Sequence, residues 1–409
     1  MKRKQNQFFG LNFLVYFCVK INYLHMKIAY ISASFFADVD FSYLKELRKK
    51  EDLYYLINLC PNELNSTIIN IKKIYPKTGI FKASLAYKEF EAFKEYIDLD
   101  KTYVINRVSI KNYSISNLLL QLKLFFFLLK LKVDVIHTTY FYKLPEFLLY
   151  FFRKKTILTV HDPFPHVGED GFRRQLYMKI ETRLLSNFIL LNSRQKDKFI
   201  CRYKLQKKNV FISHLGVYDV LQAIPPMPLN EEKDYILFFG RISPYKGLEI
   251  LFPAMKIVHE KCPDLKLIVA GGGNYYFDIE EYKKLGYMDI RNRFIPNEEL
   301  VALIKSSIFV VCPYTDATQS GVFMSAFTFC KPVISSNAGG LSEAMHDGRV
   351  GTIVQKGSVE ELAAGIISLY ENKEKLDIYK KNIYELYYDG SYSWEKITEE
   401  MQRFYMKMS

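Results

Sequence analysis

Short apolar runs alternate along the chain with longer stretches in which apolar residues recur at helical spacing. That alternation predicts repeated strand–helix–strand units around parallel sheets, an α/β architecture. In the first half the runs 27–31, 53–58, 133–137, 156–160, 188–192 and 210–213 read as buried strands. In the second half they are 235–240, 265–270, 290–294, 308–312 and 332–335. Helical patterns fill the second half at 247–261, 298–306, 320–329 and 358–372. The segment 118–131 is apolar nearly all round, with Gln121, Lys123 and Lys130 as its polar exceptions. It reads either as a helix buried against the sheet or as one lying in a membrane interface.

The periodicity fails between Gly216 and Asp234, where Ile224-Pro225-Pro226-Met227-Pro228 can continue neither a helix nor a central strand. A linker there divides 409 residues into two cores of ordinary domain size. The predicted organisation is an extension over 1–25, a Rossmann-like domain over 26–220 and a linker over 221–233. A second Rossmann-like domain over 234–385 follows, then a closing segment over 386–409. Two such domains place a ligand in the cleft between their strands' carboxyl ends. In the extension, Lys2-Arg3-Lys4 precedes an apolar stretch too short to span a bilayer comfortably, with no small-residue cleavage site after it. Met26 is read as the start of the folded part, and a membrane-touching extension is the second reading.

Charge changes the picture more than composition does. Residues 26–220 carry 32 Lys and Arg against 19 Asp and Glu, whereas residues 221–409 carry 21 against 25. The basic half suits an anionic partner such as a phosphate-bearing acceptor or a membrane surface, with solvated lysines as the plain alternative. No helix-turn-helix, zinc-finger or RNA-recognition signature accompanies the charge, so nucleic acid is not expected. The six cysteines show no paired spacing, which indicates neither a zinc site nor a disulfide framework. Asp38-Val39-Asp40, placed before a helix near Phe41, is assigned no metal.

Four strand ends carry candidate chemistry. In Gly240-Arg241-Ile242-Ser243-Pro244-Tyr245-Lys246-Gly247 a guanidinium and an ammonium stand five residues apart, which suits a diphosphate. Such cations would stabilise charge as a nucleoside diphosphate departs. Val269-Ala270-Gly271-Gly272-Gly273-Asn274 lets a ligand or the other domain approach the backbone closely. In Pro313-Tyr314-Thr315-Asp316-Ala317-Thr318-Gln319-Ser320-Gly321-Val322, Ser320 or Thr318 can cap the next helix, whose free N–H groups favour an anion. His161-Asp162 ends a strand of the first half and faces the cleft from the other side. An imidazole there can bond a sugar hydroxyl or assist proton transfer, or serve structure alone.

Together these residues resemble family 4 of the glycosyltransferases, the retaining, two-Rossmann-domain (GT-B) group that includes bacterial polysaccharide and lipopolysaccharide transferases. The resemblance rests on GRISPYKG (240–247), VAGGGN (269–274), ATQSGVFMSAFTFCKPVISSNAGGLSE (317–343) and DGRVGTIV (347–354). It implies a donor diphosphate on Arg241 and Lys246, and backbone contacts from Ser320, Gly321 and Val322, with Gly272, Thr318 and Gln319 beside them. It implies a nucleobase near Phe294, Ile295 and Pro296, and His161 on the transferred sugar. The domain over 26–220 would take the acceptor and that over 234–385 the donor, and the segment from Trp394 onward would return to the first domain. Two family glutamates are replaced by Ala317 and Ser325, the latter still able to offer ribose a hydroxyl. The usual glycine pair after the first strand is replaced within Ser32-Ala33-Ser34-Phe35-Phe36.

The expected reaction is transfer from a nucleoside-diphosphate sugar to a glycan or lipid-diphosphate-linked acceptor, with neither cofactor nor metal. The expected place is the cytoplasm, peripheral on the inner membrane face. A catalytically degenerate scaffold in a polysaccharide assembly complex is the alternative.

Overall fold

The structure, a computed structural model, describes residues 25–408 apart from 67, 112–113, 140–144, 165–171, 207, 230–233 and 318. Residues 1–24 of the extension, the end of the linker and Thr318 therefore lie outside the described residues.

Among the described residues, the first sheet has eight strands: β1 (Lys27–Ala33), β2 (Asp52–Leu59), β3 (Gly79–Lys82), β4 (Thr102–Asn106), β5 (Val135–Thr138), β6 (Thr156–Val160), β7 (Asn187–Leu190) and β8 (Asn209–Ile212). Their order is β8-β7-β6-β5-β1-β2-β4-β3, and only β3 pairs antiparallel, on β4. The second sheet has six: β9 (Tyr235–Phe239), β10 (Lys266–Ala270), β11 (Met288–Arg291), β12 (Val310–Cys312), β13 (Val333–Ser336) and β14 (Gly351–Val354). They run β11-β10-β9-β12-β13-β14, all parallel. Helices on both faces bury these strands, which is why they read as continuous apolar runs. In each sheet the chain winds outward in both directions from the first strand, so a crevice opens at the carboxyl ends.

Three strands depart from the periodicity. β3 and β14 each open on glycine and hold only two adjacent apolar residues, and β4 ends in a buried polar residue, Asn106, which accepts from the Tyr87 hydroxyl at 2.5 Å. β11 ends at Arg291, so Phe294 and Ile295 stand beyond it in a loop rather than on a strand end. The helix Ala37–Leu47 begins ahead of Asp38, not near Phe41. Its buried Asp40 accepts from Tyr30 at 2.8 Å and Tyr55 at 3.3 Å.

The apolar segment is the helix Ile115–Leu131, which buries Leu120, Leu124 and Leu128 beside Ala29, Ile31, Leu56 and Ile136 of the first sheet. Among the described residues no helix is long and apolar enough to cross a membrane.

The last helix, Trp394–Met406, lies on the helix Ala37–Leu47. Trp394 donates to the Val217 carbonyl at 2.6 Å, and a side chain at Gly216 would meet its ring at 2.6 Å. The Tyr405 hydroxyl bonds Tyr43 at 3.0 Å and His137 at 2.6 Å. A helix reached only after the second sheet is thereby fastened to the first domain.

Candidate active site

Three loops at the carboxyl ends of β9, β10 and β12 are stitched into one wall. The Gly240 amide donates to Ala270 O and the Ile242 amide to Gly272 O, both at 3.0 Å. The Thr315 amide donates to Tyr245 O at 2.8 Å. Gly247 adopts φ 72°, and a Cβ there would sit 2.0 Å from the Pro313 carbonyl oxygen. Only glycine lets the loop carrying Arg241 and Lys246 lie this close to the loop that leads to Ser320.

Lys246 is the least ordinary group of this wall. Its side chain is buried, and its Nζ donates to the Tyr314 hydroxyl at 2.7 Å and lies 3.9 Å from that ring's centroid. Burial, with Arg241's charge adding to it, lowers its pKa from the ordinary 10.5 to about 8. No carboxylate forms an ion pair with it among the described residues. Arg241 itself is exposed at the mouth. A desolvated ammonium resting on a neutral phenol and beside a guanidinium gains most from an incoming anion.

The third loop differs from expectation in its hydroxyls. Ser320 occupies the N-cap position of the helix Gly321–Phe327, yet its hydroxyl makes no cap bond, because the side chain turns into the protein and is buried. Among the described residues its Oγ meets no polar atom in good hydrogen-bond geometry, and the side chain it lies toward is Tyr314. The Ser325 hydroxyl donates back to the Gly321 carbonyl at 3.0 Å, so its proton is committed to the helix rather than held out for a ribose. Gly321 packs under Tyr218, whose hydroxyl lies 3.1 Å from where a Cβ would be. Val322 is half-buried and meets Gly240 across the wall. Ala317 is buried, with its carbonyl accepting from the Gly340 amide at 2.9 Å.

Phe294 is 65% exposed and follows Arg293, against whose backbone Gly272 packs. That loop is braced from below. Glu299, 5% exposed, accepts from Arg291 at 2.9 Å and from both terminal nitrogens of Arg293 at 2.6 and 2.8 Å. These guanidiniums hold its carboxyl below the usual carboxylate range.

Across the cleft, His161 follows β6 and stacks on Phe36, with ring centroids 4.0 Å apart. Gln319 reaches it from the second domain, its Nε2 lying 3.2 Å from His161 O and 3.4 Å from Nδ1. Asp162 is half-buried beside it. The structure thus brings His161 and Gln319 together, while Arg241, Lys246 and Phe294 line the second domain's side.

Several contributors were not singled out in the sequence. Phe36, standing in the stretch that lacks the glycine pair, covers one face of His161. His137, behind it, bonds Thr159 at 2.7 Å, and burial lowers its pKa to about 3. Arg194 after β7 reaches Asp347 at 3.3 Å, while the Ser193 amide donates to Glu343 at 3.0 Å. These last contacts join the two domains at the cleft's edge, and a run of ordinary polar residues gives no signal of them.

Two parallel-sheet α/β domains facing one another define the GT-B architecture of glycosyltransferases. Solved structures share it. Sucrose-phosphate synthase from Thermosynechococcus elongatus matches with TM-score 0.63 at 17% identity, covering 93% of this chain and 98% of that one. Anabaena HepE, in complex with UDP-glucose, matches with TM-score 0.64 at 16% identity, covering 94% and 100%. Residues 222–386 match the family described as Glycosyl transferases group 1. The second half is therefore a glycosyl transferases group 1 domain, and the chain is of the glycosyltransferase class. An uncharacterised glycosyltransferase of Methanocaldococcus jannaschii is 26% identical over 353 residues, 79% of this chain and 87% of that protein. A D-inositol 3-phosphate glycosyltransferase of Corynebacterium glutamicum is 29% identical over 152 residues, 34% of this chain and 35% of that protein.

Proposed function

We propose that the protein transfers a sugar from a nucleoside-diphosphate donor to the hydroxyl of a glycan or lipid-diphosphate-linked acceptor, with retention of configuration, as a family 4 enzyme. The observation that carries this reading is the buried Lys246 ammonium, paired with a neutral phenol and neighboured by Arg241. A diphosphate seated there restores the charge balance that burial denies the lysine. The same cations then stabilise the departing nucleoside diphosphate without a metal. His161, Gln319 and Asp162 border the space for the transferred sugar, and Phe294 and Ile295 that for the base. HepE was solved with UDP and with UDP-glucose, so uridine diphosphate sugars are the first donors to test. Cell-surface polysaccharide synthesis at the inner face of the cytoplasmic membrane is the setting we assign.

One observation favours a second reading. Ala317 and Ser325 stand where the family carries glutamates, and Ser325's hydroxyl is turned to its own helix. A degenerate scaffold would bind a nucleotide sugar without turning it over. Release of nucleoside diphosphate from a panel of UDP, GDP and ADP sugars, with and without lipid-linked acceptors, separates the two. Turnover that Lys246→Ala abolishes supports the enzyme; binding with no release from any donor supports the scaffold.

A further inference from the structure

The helix Ile115–Leu131 buries one face on the first sheet and presents the other to solvent, and that outer face is apolar. At about 100° per residue Ile115, Leu118, Leu119, Leu122, Phe126 and Leu129 fall within one stripe along it. Each is between 44 and 77% exposed. The stripe continues onto the neighbouring turn, where Phe151 is 70% exposed and its ring lies 5.7 Å from that of Phe125. Solvated helices carry polar residues on their outer side, and contiguous apolar patches on a protein surface mark an interaction site.

Charge identifies the occupant. Residues 111–155 hold eight Lys and Arg but only two acids, Asp134 and Glu146. Lys123 and Lys130 flank the stripe on one side, and Lys132, Arg153 and Lys154 are exposed at its far end. A second copy of this face would meet like charge. An apolar stripe rimmed by cations matches instead the interface of an anionic bilayer, where acyl chains take the apolar side chains and headgroups take the lysines. The helix enters after β4 and returns to β5, so its Ile115 end lies at the carboxyl edge of the sheet, the edge that borders the cleft.

We infer that this face docks the protein on an anionic membrane surface, with the helix parallel to the bilayer plane and the cleft edge of the first domain beside the membrane. The inference is independent of the donor chemistry, since vesicle binding reads the helix and nucleotide binding reads the cleft.

The test is co-sedimentation of the full chain with phosphatidylcholine vesicles and with vesicles of phosphatidylcholine and phosphatidylglycerol in equal parts. The comparison is with Leu122→Glu/Phe126→Glu, both of whose side chains face solvent, and with the charge reversal Lys123→Glu/Lys130→Glu. Docking predicts binding to the anionic vesicles that weakens with salt and falls about tenfold or more in each variant. Melting temperature and nucleotide-induced stabilisation should stay unchanged in both. Equal binding by wild type and variants overturns the inference, whatever other segment holds the vesicle. So does a concentration-dependent dimer that Leu122→Glu/Phe126→Glu dissolves while vesicle binding is absent.

Discussion

Lys246→Met should make the protein more stable and bind nucleotide worse. In the fold Lys246 is 9% exposed, and its pKa falls from 10.5 to about 8. At 1.36 kcal/mol per tenfold change in proton affinity, holding that charge inside costs the fold about 3 kcal/mol. Methionine keeps the apolar stem and discards the charge, forfeiting one hydrogen bond to Tyr314 worth about 1 kcal/mol. The net gain is about 2 kcal/mol near neutrality. Its pH dependence is the diagnostic part. Between about pH 8 and 10.5 the unfolded chain keeps this proton and the folded chain does not, so wild-type stability rises with pH through that window. The variant lacks that rise, and its advantage is full below pH 8 and gone above 10.5. Urea melts across that range measure both curves. Nucleoside diphosphate affinity should meanwhile fall by about 10- to 100-fold, the loss of one charge-assisted bond. A variant less stable than wild type at pH 7, or one with the same pH slope, would refute the strained-cation argument.

Three further outcomes follow from the same geometry. Glu299→Ala should cost about 2 kcal/mol in a urea melt, because it leaves Arg291 and Arg293 without the carboxylate that braces the Phe294 loop. With that carboxyl held below its usual range, the loss should shrink as wild type is acidified through its titration. Ala317→Glu should lower the melting temperature rather than raise activity, since Ala317 is 2% exposed and its carbonyl crowds against Gly339; a more active, equally stable variant would show that the site accepts the family carboxylate. Trp394→Ala should cost about 3 kcal/mol or more. Trp394 is the chain's single tryptophan, so the fluorescence change in wild-type melts should coincide with loss of the first domain's structure.

Much of this fold is legible because parallel strands buried on both faces leave plain apolar runs, as β1 and β9 do. What escaped has physical reasons. β3 (Gly-Ile-Phe-Lys) and β14 (Gly-Thr-Ile-Val) each open on glycine and hold only two adjacent apolar residues, too few to stand out as a run, and β4 mixes Thr102 and Asn106 with apolar residues because both polar groups find partners inside. The segment 118–131 could not declare which face it buries, since both are apolar; only the sheet beneath it decides. At the site, the strand-end spacing pointed to Arg241 and Lys246. The depth of Lys246, its seat on Tyr314 and the closed hydrogen bond of Ser325 depend on contacts between residues far apart in the chain. Phe36 over His161 is the clearest such case, an apparent departure that proves to be a stacking partner.

The measurement that tests the central claim most directly is a thermal-shift titration of the full chain with UDP, GDP, ADP and CMP and their sugars, beside Arg241→Ala/Lys246→Ala. The account predicts stabilisation by one nucleoside diphosphate, rising with ligand concentration by mass action and absent from the double variant. Equal stabilisation of wild type and variant, or none in well-folded protein across the panel, would contradict a diphosphate site at these two cations.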